Sequence, residues 1–144
     1  MPILFDTSVY ITALRQGGAS TVLLQRWAQE SPLWLSSVVL EELYAGANPT
    51  TDRRILEKLE RDFERANRVL VPNLGDWGLA GKILAVIAQK YGYEKIGRAR
   101  LTNDALISTS AARNGITVIS TNSRDFALLA QFCPVQWQTR VVVE

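Results

Sequence analysis

Four places in the sequence put side-chain oxygens where chemistry could be done. Asp6 follows the apolar run at the start of ILFDTSVYI and precedes two hydroxyl residues. Glu42 sits in SSVVLEELYAG, with Glu41 beside it. Asp104 stands in LTNDALISTSAARNG, and the segment STNSRDF offers Asn122 and Asp125. The chain has no histidine. That removes serine–histidine and cysteine–histidine catalysis, histidine acid–base chemistry and most zinc sites, and leaves carboxylates as the source of any chemistry. Carboxylates brought together repel, and unpaired buried charges cost several kcal/mol each; a divalent cation relieves that cost. Magnesium prefers oxygen ligands, keeps several waters and often uses one or two carboxylates beside a substrate phosphate. Such an ion can acidify a bound water and neutralise charge on a substrate. Thr7, Ser8 and Thr121 are placed to orient carboxylates or waters around it.

Taken singly, each of these residues has an ordinary explanation. Asp6 could cap the helix that follows it, and Asp104 could complement a helix dipole from the first turn. Glu41 and Glu42 could be solvated helix residues, Asn122 and Ser123 turn residues, and Asp125 a cap for FALL. A polyanion would need cations nearby. KIGRAR supplies Lys95, Arg98 and Arg100 just before Asp104, and Arg124 lies within the STNSRDF segment. Trp27, Trp34, Trp77 and Trp137 could stack on bases, although their apolar surroundings favour core or interface positions. A net charge of +2 favours a polyanionic partner only weakly.

The elements that must position these groups alternate between short apolar strands and helices. PILF, LWLSS, VLVP, ITVIST and VQWQTRVVV read as strands, the last at an edge. Helices are expected in TSVYITALRQ, ending at Gly17-Gly18, and from Ser20 to the break at Ser31-Pro32. A third, VVLEELYAGA, runs to NPTTD, where Pro49 and the threonines close one helix and cap the next. DRRILEKLERDFERANR places Ile55, Leu56, Leu59 and Phe63 on one stripe. In NLGDWGLAGKILAVIAQKYGY, Leu79, Ile83, Val86 and Ile87 are expected to face inward. GYEKIGRARL reads as a loop, followed by a helix capped by Thr102 or Asn103 and stopped at Gly115. Strands separated by helices imply parallel crossovers and a layered α/β domain. In open parallel sheets, ligands bind beyond the carboxyl ends of the strands, where Asp6 and STNSRDF fall.

At 144 residues, 47% hydrophobic and 21% charged, the chain fits one globular domain spanning 1–144. No run approaches the roughly 20 apolar residues needed to cross a bilayer, and MPILFDTS lacks the pattern of a signal peptide. A cytoplasmic protein with no membrane association is expected. The single cysteine, Cys133, cannot form an internal disulfide and reads as an apolar filler.

FDTSVYI, SSVVLEELYAG, LTNDALISTSAARNGITVIST and TNSRDF, in this order and in strand-then-helix contexts, resemble the four blocks of the PIN-domain family, above all VapC-type toxin ribonucleases. The resemblance implies a three-layer α/β/α fold around a mostly parallel central sheet. It implies a hydrolase that cuts RNA with Mg2+ or Mn2+ held by Asp6, Glu42 and Asp104, in a toxin–antitoxin system with a cognate antitoxin protein as partner and a homodimeric toxin. Glu42 rather than Glu41 matches the family pattern, because the acid stands directly before Leu43. The fourth block departs from the acidic version by carrying Asn122 where many members have aspartate, so Asn122 and Asp125 both remain candidates to complete the site. That departure sustains the alternative of a degenerate PIN-like domain that binds RNA or protein without cleavage. A phosphotransferase of the haloacid dehalogenase type also begins with an aspartate after a strand, but it needs a second one where Ser8 stands.

Overall fold

The computed structural model describes residues 1–16, 29, 31–48, 50–95 and 99–139. Apart from Gln29, the helix expected from Ser20 to the break at Ser31-Pro32, with Trp27, lies outside the described residues, as do Pro49, Arg98 and the chain beyond Thr139.

Five strands, β1 (Ile3–Phe5), β2 (Leu33–Ser36), β3 (Val69–Leu70), β4 (Thr117–Ser120) and β5 (Trp137–Thr139), form one sheet in the order β3-β2-β1-β4-β5. Every pairing is parallel. The expectation of a mostly parallel sheet is met, and the last strand does lie at an edge. Central parallel strands are covered on both faces and should be apolar throughout. Accordingly, all residues of β1 and β4 are buried, whereas edge strand β5 is mainly exposed.

Six α-helices and a short 3-10 turn (Tyr93–Lys95) complete the described fold: α1 (Thr7–Gln16), α2 (Ser37–Gly46), α3 (Arg53–Arg65), α4 (Leu74–Tyr91), α5 (Ala99–Arg113) and α6 (Ser123–Leu129). Chain direction across the sheet reverses at β1. With right-handed crossovers, the helices leading out to β3 cover one face and those leading back to β4 and β5 cover the other, which makes the three-layer α/β/α arrangement. Ser36 caps α2 by accepting the Val38 amide at 3.2 Å. Asn73 and Asp76 form a reciprocal capping box at the start of α4. Gly115, at φ 64°, supplies the left-handed turn from α5 into β4.

Three local expectations are corrected. Helix α5 begins at Ala99, so Thr102 and Asn103 lie inside it rather than capping it, and part of the expected basic loop is helical. Thr50 and Thr51 do not cap α3: Asp52 holds the cap position without a side-chain bond, while Asn48 Oδ1 accepts from the Thr50 amide at 3.0 Å and its hydroxyl at 2.7 Å. Leu79, Val86 and Ile55 are 42%, 45% and 54% exposed, whereas Ile83, Ile87 and Leu56 are buried. Each helix buries a narrower stripe than its apolar content suggests. Cys133 is buried and free, as expected of a filler.

Candidate functional site

The order of the sheet fixes where a site should form. Neighbours β2 and β4 flank β1, and the crevice beyond their carboxyl ends is the topological switch point. Phe5 pairs with Ile119, and the Asp6 amide continues the ladder by donating to Ile119 O at 3.0 Å. Asp6 therefore leaves β1 level with Ser120, the last residue of β4.

The Asp6 side chain is buried, 5% exposed. Its Oδ1 accepts from Ser8 Oγ at 2.5 Å and from the Val9 amide at 3.3 Å, and its Oδ2 accepts from Ser120 Oγ at 2.6 Å. The Val9 bond is the helix cap foreseen for this residue. Capping alone leaves Oδ2 and the burial unexplained. Burial pushes the carboxyl above its ordinary value, while the bonds from Ser120, Ser8 and the backbone pull it back without cancelling the shift. None of these three donors carries a charge.

Both serines also hold the β4–α6 turn. Ser8 Oγ accepts the Thr121 amide at 3.2 Å, and Ser120 Oγ accepts the Asn122 amide at 2.9 Å. Thr121 thus enters through its backbone, with its side chain exposed. Asn122 is half-buried at the cap position of α6 without a side-chain capping bond, and Asp125 is half-buried in the first turn. Ser120 is a partner of Asp6 that the sequence pattern did not single out; a serine closing a fully buried β-branched strand was the available signal.

Thr7, adjacent to Asp6, donates its hydroxyl to Glu42 Oε1 at 2.8 Å. Glu42 is half-buried and Glu41 exposed, so α2 turns the former toward Asp6. Asp104 is 6% exposed and lies in the second turn of α5, too far along to be the first-turn dipole partner expected of it. It heads the core-facing row continued by the buried Ile107, Ser108 and Ala111. Helix α5 descends toward the start of β4, which puts its amino-terminal half at the crevice end of the sheet. Helix α5 also touches α2, the helix of Glu42.

The donors fit a hard cation in type, being carboxylates, with Asp6 and Glu42 held by neutral hydroxyls. Their geometry is looser: among the described residues, no three Asp, Glu, His or Cys side chains form a group able to hold a metal ion by themselves. An ion here would rely on one or two carboxylates completed by waters and phosphate, as magnesium commonly does. Of the expected cationic contacts, Arg124 is exposed beside the turn. Trp77 is 56% exposed, and Trp34 and Trp137 pack against the core.

A parallel α/β domain with a buried aspartate, Asp6, at its strand reversal is the class that fold and site define. Residues 3–131 match the family model of the PIN domain, and the chain belongs to that family. No curated protein sequence matches the chain. Solved structures match its fold. One is VapBC2 from Rickettsia felis bound to a DNA fragment from their promoter, at a TM-score of 0.68 and 18% identity over 98% of this chain and 100% of that one. DNA-bound VapBC from Salmonella typhimurium gives 0.68 at 19% identity, over 96% and 98% of the two chains. VapBC-1 from nontypeable Haemophilus influenzae gives 0.63 at 24% identity, again over 96% and 98%.

Proposed function

We propose that this chain is an endoribonuclease dependent on magnesium or manganese, and that it is the toxin of a toxin–antitoxin pair acting in the cytoplasm. One observation carries the reading: Asp6 is a buried carboxylate at the strand reversal whose three bonds all come from uncharged donors, in a chain of the PIN domain family. A cation drawn to it would neutralise the scissile phosphate and acidify a water. Asp6, Glu42 and Asp104 are the residues that would hold that cation. Ser8 and Ser120 fix the orientation of Asp6, and Thr7 fixes Glu42. Asn122 completes the site in preference to Asp125, because its amide is bound to the same Ser120 hydroxyl that holds Asp6. The solved structures of similar fold include VapBC complexes, which supports a cognate antitoxin as partner. The family resemblance adds a homodimer.

Purified protein should cleave RNA only with Mg2+ or Mn2+, and Asp6→Asn should lower cleavage by roughly a thousandfold. A second reading, a PIN domain that binds RNA or protein without cutting, is favoured by Asn122 in place of an acid and by the lack of a ready three-acid group. It prevails if wild type and Asp6→Asn bind RNA equally and neither cuts with either metal.

A further inference from the structure

Beside Glu42, a cavity of about 110 Å3 opens between α1 and α2. Ile11, Leu14, Leu43 and Ala47 supply apolar walls, and Arg15, Glu42 and Asp52 supply charged groups. We propose that this cavity is a base-recognition subsite that takes one guanine next to the scissile phosphate. The proposal rests on the nuclease reading above and specifies its substrate.

The cavity is well below the roughly 300–1,000 Å3 of pockets for drug-sized ligands, so it suits one flat ring and not a whole nucleotide. Its charged groups decide between occupants. An apolar protein side chain would desolvate a guanidinium and two carboxylates without replacing their hydrogen bonds, at a cost of several kcal/mol. A base uses its faces against the aliphatic walls and its edge against the charges, the way single-stranded RNA is read. Guanine is the base whose edges match this set. Its O6 and N7 accept from a guanidinium such as Arg15, while its N1–H and N2–H2 donate to carboxylates. Adenine lacks the oxygen acceptor, and the pyrimidines lack N7. Glu42 belongs both to this cavity and to the proposed cation site, with one oxygen already bound by Thr7, so a base seated here adjoins the phosphate to be cut.

Gly46 offers a clean way to close the cavity. It lines the space at the end of α2, and a Cβ built on it meets nothing within 4 Å. Gly46→Leu should fill the cavity without backbone strain, and Arg15→Ala removes an exposed side chain, so the second variant remains informative if the first misfolds. The experiment uses the full chain and four short fluorescein-labelled RNAs that differ only in the base beside the cut, and it measures both cleavage and metal-free binding by anisotropy. Wild type should prefer guanine by about tenfold or more, and both variants should lose that preference while still cleaving with magnesium. Guanine preference in binding without any cleavage supports the subsite and removes the nuclease reading. Cleavage or binding with no base preference, or with a preference unchanged in both variants, overturns the subsite and leaves the nuclease reading standing.

Discussion

Asp6 and Asp76 are both buried aspartates at helix starts, 5% and 3% exposed, yet their surroundings differ in one respect. Asp76 faces a guanidinium. Arg113 Nε reaches both its oxygens at 3.0 Å and Nη2 reaches Oδ2 at 2.9 Å, while the Asn73 amide donates to Oδ2 at 2.9 Å. Burial alone would raise the Asp76 carboxyl; Arg113 and Asn73 hold it below its ordinary value. Asp6 has three contacts, but they come from two hydroxyls and an amide, and burial wins. The fold therefore pairs its buried charge with a guanidinium at α4–α5, whereas at the sheet's carboxyl end the three donors to Asp6 among the described residues are all neutral. A charge completed from within is structural, and one left for an outside cation is available for chemistry.

The largest effects should come from neutralising the two acids in turn. Asp6→Asn removes a proposed cation ligand that the fold pays to bury. Metal-dependent cleavage should fall by roughly a thousandfold, since such ions supply several kcal/mol and 1.36 kcal/mol is tenfold. The same variant should melt higher than wild type in chelator, because the desolvated charge is gone. The side chain is accommodated: Asn Oδ1 can accept from Ser8 and Val9, and the Ser120 hydroxyl has Asn122 O at 3.0 Å as a substitute acceptor. Calorimetry with and without Mn2+ checks this. A lower melting temperature in chelator would show that Asp6 is held for the fold.

Asp76→Ala should do the opposite, leaving the cleavage chemistry intact and lowering stability by about 2 kcal/mol through the lost cap and a solvent-discounted ion pair. For a chain of this size that is a fall of roughly 6 °C in melting temperature. The pH dependence follows from the sign of the shift. A depressed carboxyl contributes stability that is fully present above its unfolded value of about 3.9 and is lost as pH falls through its lower folded value. Wild type should thus lose an increment of stability below about pH 4 that the variant does not lose. Parallel acid titrations of the two proteins would remove the assignment.

How much of this was readable before the fold was seen depends on the range of the interaction. The strands were legible because central parallel strands are buried throughout and largely apolar or β-branched, as ILF and TVIS are, and Asp6 stood out by ending such a run. The preference for Glu42 over Glu41 agrees with their exposures, though it rested on resemblance and not on periodicity. The start of α5 was misplaced because Thr102 and Asn103 are good caps locally, while the tertiary packing of Leu101 and Ala105 extends the helix back to Ala99. The Ser120–Asp6 bond spans 114 positions, and no local pattern marks such a pair. The same holds for Arg113 and Asp76, 37 positions apart. Long-range polar pairs are decided by topology, so the contrast between the two aspartates was invisible in the sequence although both residues were in plain view.

The smallest effect tests whether the hydroxyl clamp matters as much as the charge it surrounds. Ser120→Ala removes the donor to Asp6 Oδ2 and the acceptor of the Asn122 amide, leaving a gap of one oxygen that is too small for water. Asp6 keeps its contacts to Ser8 and Val9 but loses the bond that contributes most to holding it charged. A carboxylate harder to ionise and freer to turn binds a cation less well, and losses of about tenfold to a hundredfold are usual when such a supporting partner is removed. Mn2+ affinity measured by titration calorimetry should therefore fall about tenfold at neutral pH. Glu41→Gln, on the exposed side of α2, should leave it unchanged. If Ser120→Ala binds Mn2+ as wild type does, the neutral donors around Asp6 are packing rather than preparation, and the difference from Asp76 reduces to the missing guanidinium alone.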